Sequence, residues 1–507
     1  MISVHRLLAR NTIASFLRHF INLGILFYLT PFTIAAIGDL QYGLWAVVLT
    51  VAGYSGLLDM GITTATTKLA AEYRSKGELD ELNELITSSI SLFTLFGAAC
   101  LVAIMLFMPR YIASIDHGAL GSESPLAISA LIGIDILFVF VANIFTGIIL
   151  SFHQFHMKSL IDITLGVLKL IATIVVLNAG YGLLGLAVVK LSVSVLSTIA
   201  LYMVFKRQMP THKLRLRMPA PAQMKRLINL GGKLFYMTLA IRLVDKTSPI
   251  IIVSTIGTIW NAYNSVVNRL ATYGNEIVYS TTAAFMPVFS ELYAQDDDGT
   301  ARGLYLQYTR YVIALSMPIF FGVMVLGPDF VGVWIDPVYK EKGGAALRFL
   351  AGSFAIVGLQ PLLGRLVIGR GDVGFYTKTM TIGLVLNILL SIPACYLGGI
   401  TALAALSTVA SLCFFSIFTV YLSRSFHISI TDQLLRCYLK LAPPIAVFLL
   451  AFFLIDDRLP SNSYADVFLK AAILVAAYVP VAFVTMLSAN ERSRIWRMVV
   501  LRGRQAG

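Results

Sequence analysis

Residues 239–249 read LAIRLVDKTSP, and Arg242, Asp245 and Lys246 stand there at i, i+3 and i+4, so a helix puts all three on one face. Arg242 and Asp245 can pair, which leaves Lys246 as surplus positive charge. Pro249 removes a backbone hydrogen bond one turn later and predicts a kink. A surplus cation of this kind suits recognition of phosphate or carboxylate. A brace that locks helix packing explains two of these charges but not the third.

The following stretch, WNAYNSVVNRLATYGNEIVYSTTAAF (260–285), places Asn261, Asn264, Asn268, Thr272, Asn275, Tyr279 and Thr282 at steps of three and four, one hydrogen-bonding face from end to end. Arg269 and Glu276 flank it. One or two such groups suffice for a helix interface, so a face this long predicts the wall of a wet passage, with tight packing against a neighbouring helix as the alternative. Asn11, Ser15, Arg18 and Asn22 repeat the pattern, with Pro31 beyond them, and Ser55, Asp59, Thr63 and Thr67 follow at four-residue steps. Lys169 and Lys190 stand within apolar stretches with no partner evident in the sequence, whereas Arg310 and Arg365 lie near enough to span ends to snorkel. Sign separates the classes of ligand. Arg18, Arg242, Lys246 and Arg269 outnumber Asp245 and Glu276, so the expected cavity repels cations and attracts anions. Its Asn, Thr and Tyr groups suit a hydroxyl-rich molecule. The candidate binding residues are Arg18, Asn22, Arg242, Asp245, Lys246, Asn264, Asn268, Arg269 and Asn275; Asp59, Asp245 and Glu276 are candidates for coupling to Na+ or H+.

The frame for these residues is apolar helix. Of 507 residues 58% are hydrophobic and 13% charged, against roughly 25% charged in soluble domains, and the mean hydropathy is +0.81. Apolar runs of about 20 residues recur throughout, each able to cross a hydrocarbon layer of roughly 30 Å. They predict an all-α polytopic membrane protein of about fourteen spans, including 11–37, 40–66, 126–151, 160–178, 182–206, 227–256, 260–286, 345–368, 375–395 and 397–423. A β-barrel would need alternating strands of about 10 residues and is excluded. The basic start, MISVHRLLAR, has no short apolar region and small-residue cleavage site after it and predicts an uncleaved first helix. The connections are too short for a soluble catalytic domain, so no enzyme activity is expected.

The net charge of +13 is distributed by topology. With the N-terminus inside, internal segments hold roughly twenty Lys and Arg and external loops about four, which satisfies the positive-inside rule and makes both termini cytoplasmic. The basic run 206–226 is then a topology determinant rather than a nucleic-acid site. Cys100, Cys395, Cys413 and Cys437 lack paired spacing. HQFH (153–156) has no third metal ligand nearby, and GGK (231–233) lacks the phosphate-loop pattern, so no metal or cofactor is expected.

The 206–226 run divides the chain into an N-terminal lobe (1–205), a linker (206–226), a C-terminal lobe (227–425) and two further spans with a basic tail (426–507). Gly38 precedes Glu72 by 34 residues and Gly257 precedes Glu291 by the same interval, which suggests two halves of like orientation with cargo bound between them near the midplane.

LLDMG (57–61), the basic AAEYRSKG (70–77) after it, and FMPVFSEL (285–292) resemble the first-half and second-half patterns of Wzx-type lipid-linked oligosaccharide flippases, in the polysaccharide transport family of the MOP superfamily. With six plus six spans and two extra, the resemblance covers nearly the whole chain, through short and degenerate motifs. It implies alternating-access transfer of an undecaprenyl-diphosphate-linked glycan from the inner to the outer leaflet of the bacterial inner membrane, for O-antigen or exopolysaccharide synthesis. Membrane lipids, a polysaccharide polymerase and chain-length proteins are the implied partners. A MurJ-type lipid II flippase and a MATE-type cation-coupled exporter share that fold and stay open, although the positive cavity opposes cationic drugs. A membrane-embedded polymerase or ligase would need a large external catalytic loop, and the longest external loops, about 109–125 and 328–344, are modest.

The topology has a direct check. Cysteines introduced at Ser122, Lys342 and Ser461 should be labelled from outside intact cells, and one at Lys213 should be protected. External labelling at 213 would invert the orientation.

Overall fold

The computed structural model describes residues 2–115, 118, 120–121, 123–152, 154–210, 221, 223–225, 227, 247–282 and 285–493, and the side chains among these apart from 2–16, 54–62, 64, 75, 280 and 287. These residues form helices and no strand. In hydrocarbon a backbone must satisfy its own polar groups, and an unbroken helix does so within each segment.

The elements are α1 (Ile2–Lys76), α2 (Leu79–Ile115), α3 (Pro125–Ser151), α4 (Phe155–Asn178) and α5 (Gly182–Gln208), then the short apolar α6 (Thr247–Ile256). They continue with α7 (Thr258–Thr282), α8 (Phe285–Ala294), α9 (Asp298–Trp334), α10 (Pro337–Val357), α11 (Leu363–Arg370), α12 (Val373–Ser425), α13 (Ile430–Gln433), α14 (Leu439–Asp456) and α15 (Tyr464–Met486). The chain is a multi-pass membrane protein. Among the described residues nine helices are long and apolar enough to cross a membrane, fewer than the count expected from sequence. Two of them, α1 and α12, are broken by Gly38 (φ 78°) and by Gly398–Gly399, where the sequence separates consecutive spans. Helices α7 and α10 fall where further spans are expected but are too polar to count among the nine. The expected span 227–256 is described mainly from Thr247 onward.

Local signals set the helix ends. Ser124 caps α3 with Pro125 next to it, Asp336 caps α10 with Pro337 next to it, and Ser463 and Asp466 form a reciprocal capping box on α15.

The chain forms two compact units, 1–262 and 263–507. The expected linker, 206–226, lies in large part outside the described residues. In the first unit α2 and α3 approach through glycine. A Cβ at Gly97 would stand 2.8 Å from a Leu137 methyl, and one at Gly133 2.5 Å from a Leu101 methyl, so the two backbones interlock at small residues. Phe93, Phe140, Ile144 and Phe205 fill the core beside this crossing. In the second unit α9 carries the core with Phe320, Ile313 and Val331, and α15 joins it through the Tyr478 hydroxyl, which donates to the Ala314 carbonyl at 3.0 Å.

Arg310 departs from expectation. Rather than snorkelling it is buried and donates through Nη2 to both Glu491 oxygens at 2.7 and 2.8 Å, with Tyr311 donating to the same carboxylate. Burial pushes the Glu491 carboxyl up, but the Tyr311 and Ser488 hydrogen bonds and the Arg310 charge win and hold it at about 2. Arg310 is thus a fastening for the segment that follows α15.

Candidate functional site

Helices α1 and α4 lie side by side in the first unit, and their facing sides carry charge. Arg18 Nη1 donates to Asp162 Oδ2 at 3.0 Å, and Lys158 Nζ to Asp162 Oδ1 at 2.5 Å. Lys158 and Asp162 are one turn apart on α4, and Gly166 and Lys169 continue the same face. A Cβ at Gly166 would come within 3.0 Å of Asn22 Oδ1, so the bare backbone there gives Asn22 room one turn after Arg18. Two cations share one carboxylate, and the group carries net positive charge. It is also reachable: the side chains of Arg18, Lys158 and Asp162 are 39%, 22% and 21% exposed. Such a site can hold an anion through guanidinium and ammonium, with an amide beside them for a hydroxyl.

Lys190 does not lack a partner. Its Nζ reaches Asp135 Oδ2 at 2.5 Å, and Ser194 donates to the other oxygen at 2.6 Å. The Asp135 side chain is 0% exposed, so this is a balanced pair joining α5 to α3. Lys169 also makes interactions within the protein. Elsewhere in the unit a cavity of about 350 Å³ is lined by residues including Gln41, Glu123, Gly180 and Gly182. Burial pushes the Glu123 carboxyl up, against the backbone bonds from Leu184 and Leu183 that pull it down. By accepting from the Leu184 N–H at 3.0 Å it closes the start of α5.

The α7 stripe is buried at Asn261 and Asn264 and again at Thr282, which donates to the Tyr279 carbonyl at 3.1 Å, and opens only between them. Asn261 is fully buried and donates to the Gly43 carbonyl at 2.9 Å, where a Cβ on Gly43 would stand 2.0 Å from the Thr258 oxygen. Packing accounts for that end. Asn264 is buried too, and its Nδ2 has no hydrogen-bond partner among the described residues. Asn268, Arg269, Thr272 and Asn275 are half-buried, with Thr272 donating to the Asn268 carbonyl at 2.7 Å, and Glu276 and Tyr279 are exposed. The Arg365 guanidinium lies 4.2 Å over the Tyr279 ring, a contact that ties α11 to the end of the stripe.

Arg242, Asp245 and Lys246 lie outside the described residues, as do the side chains of Asn11, Ser15 and Asp59. Asp162 and Lys158 are the candidate site residues that sequence reading missed, and Asp135 is the structural partner it missed. Lys158 and Asp162 did carry a signal, opposite charges at i and i+4 across the edge of an apolar run. Asp135 was legible only as an acid in the middle of one.

A family model described as "Polysaccharide biosynthesis protein" matches residues 37–341. The chain belongs to this family. The match covers LLDMG and FMPVFSEL, two of the stretches that carry the resemblance to polysaccharide flippases. A comparison with curated proteins finds no sequence match. Among solved structures, the lipid II flippase MurJ in an inward closed conformation superposes with a TM-score of 0.69 at 15% identity, over 91% of this chain and 98% of its own. An inward-facing MATE multidrug resistance transporter of the MOP superfamily gives 0.64 at 13%, over 83% and 99%. A MOP superfamily transporter from Pyrococcus furiosus, whose binding pocket is described as reversed in polarity, gives 0.54 at 14%, over 82% and 93%. This polysaccharide biosynthesis protein has the fold of those transporters.

The Lys190–Asp135 pair should behave as a brace. Lys190→Met alone, which strands the buried Asp135 carboxylate, should cost about 3–5 kcal/mol in thermal unfolding of the purified protein, and Lys190→Met with Asp135→Leu should recover most of it. A single variant as stable as the native protein would contradict this.

Proposed function

We propose that the protein is a flippase for a polyprenyl-diphosphate-linked oligosaccharide, moving it from the cytoplasmic to the outer leaflet of a bacterial inner membrane by alternating access, for surface polysaccharide synthesis. The observation that carries this reading is the Arg18–Asp162–Lys158 group, net positive and partly open, in a member of a polysaccharide biosynthesis family. A diphosphate satisfies cations that a cationic drug would not, and Arg can hold it through two parallel hydrogen bonds. The half-buried amides and hydroxyls of α7 suit the sugars, and the polyprenyl tail would stay in lipid. Arg242, Lys246 and Arg269 are further cations proposed to contact the cargo. The transfer makes and breaks no covalent bond. It requires no cofactor; Na+ or H+ coupling through Asp59, Asp245 or Glu276 is an additional element of the proposal. Both termini would lie in the cytoplasm, and a polymerase and chain-length proteins would take up the product outside.

The test is complementation in cells lacking their own flippase for a surface glycan. At equal membrane levels, Arg18→Ala should reduce surface polysaccharide at least about tenfold, the scale of one lost charge-assisted hydrogen bond, while lipid-linked precursor accumulates inside; Arg18→Lys should retain part of the export. Rescue of lipid II flippase depletion without surface glycan would select the MurJ-type activity, and drug efflux without either would select the MATE-type one. Normal export by Ala variants at Arg18, Arg242, Lys246 and Arg269 alike would reduce the charges to braces.

A further inference from the structure

Asp162 uses both carboxylate oxygens, but its two partners are not equivalent. Lys158 is one turn earlier on the same helix and stays within reach whatever α1 does. Arg18 comes from α1, 144 residues away in sequence. The Arg18 Nε is buried without a hydrogen-bond partner among the described residues, although the side chain as a whole is the most open of the three. Arg18 is therefore the exchangeable ligand of this carboxylate and Lys158 the resident one.

That asymmetry has a chemical use. Stripping Arg18 from a carboxylate with no other partner would leave an uncompensated charge between packed helices, which is strongly unfavourable. With Lys158 in place the carboxylate stays paired, and Arg18 can turn to an incoming anion. When the anion leaves, Asp162 receives the guanidinium again, so the empty site holds no stranded arginine. We propose that Asp162 is an internal competitor of the cargo phosphate, holding Arg18 in the empty site and yielding it to a diphosphate ester while Lys158 keeps the carboxylate neutralised. This rests on the anionic-cargo reading above and adds a positioning residue that sets affinity and release. In this role Asp162 weakens binding and thereby speeds turnover.

Farnesyl diphosphate binding to the full chain in phosphatidylcholine nanodiscs tests it. Asp162→Asn should bind the probe about tenfold more tightly, the scale of one charge-assisted competitor removed. In a reconstituted transfer assay the same variant should lower both KM and kcat, because release slows. Asp162→Glu should restore native values. Lys158→Met, which leaves Arg18 as the sole partner of Asp162, should weaken binding, and Asp162→Ser, which also removes the competing carboxylate and should tighten it, decides the matter if Asp162→Asn does not fold. A bracing role alone would lower the amount of folded protein without tightening the probe. Unchanged or weaker binding by a folded Asp162→Asn or Asp162→Ser, or unchanged binding by Lys158→Met, would overturn the proposal. Unchanged binding by Arg18→Ala would instead remove the anionic-cargo reading at this residue. Displacement of the probe by added phosphatidylglycerol would assign the guanidinium to membrane headgroups and overturn the competition with cargo.

Discussion

A charged side chain at the centre of a membrane helix costs about 2.5–3.5 kcal/mol on insertion scales, whereas a leucine contributes roughly half a kcal/mol in the opposite direction. That constraint organises this protein. Lys190 is matched by Asp135, Arg310 by Glu491, and the buried Lys470 by Asp456 with Ser461. Each of these pairs joins one helical segment to another, so the charges hold elements together in surroundings where apolar contact between helices gains little over contact with lipid. The Arg18 group is different in kind. Two cations meet one carboxylate, and the imbalance persists at a partly open position. A balanced pair needs no ligand; an unbalanced one has a use for an anion.

Much of the fold was legible because the bilayer imposes it. Apolar runs predicted the helices, and the glycine breaks at Gly38 and Gly398–Gly399 fall where the sequence divides spans. Lateral pairing was not legible. Lys190 looked solitary because Asp135 is 55 residues away, and no periodicity announces which of several apolar helices will pack together. Arg310 was misread for the same reason, its partner lying 181 residues on, beyond α15. The α7 stripe was expected to wall a wet passage from end to end, yet one helix face can serve two purposes. Asn261 goes to the Gly43 carbonyl, while Tyr279 remains exposed against Arg365.

The first unit has two kinds of helix contact. Helices α2 and α3 interlock at Gly97 and Gly133, and Asp135, two residues beyond Gly133, ties in α5. Helix α4 meets α1 across a polar seam instead, at Gly166 with Asn22 and at Asp162 with Arg18. A seam of charged hydrogen bonds can trade partners one at a time, which an interlocked apolar core cannot do without opening cavities. The proposed anion-binding group would sit on such a seam, beside the interlocked core.

Transfer of a lipid diphosphate carries charge, and the membrane potential then acts on it directly. About two negative charges moving outward across 100 mV of interior-negative potential release roughly 4.6 kcal/mol, at about 2.3 kcal/mol per charge. The decisive measurement is transfer of a polyprenyl-diphosphate sugar by the reconstituted protein under an imposed potassium-diffusion potential, with no gradient of sodium or protons. Outward transfer should accelerate when the interior is negative and slow when the potential is reversed. A rate indifferent to voltage but dependent on a sodium or proton gradient would contradict potential-driven anion export and leave an ion-coupled antiporter.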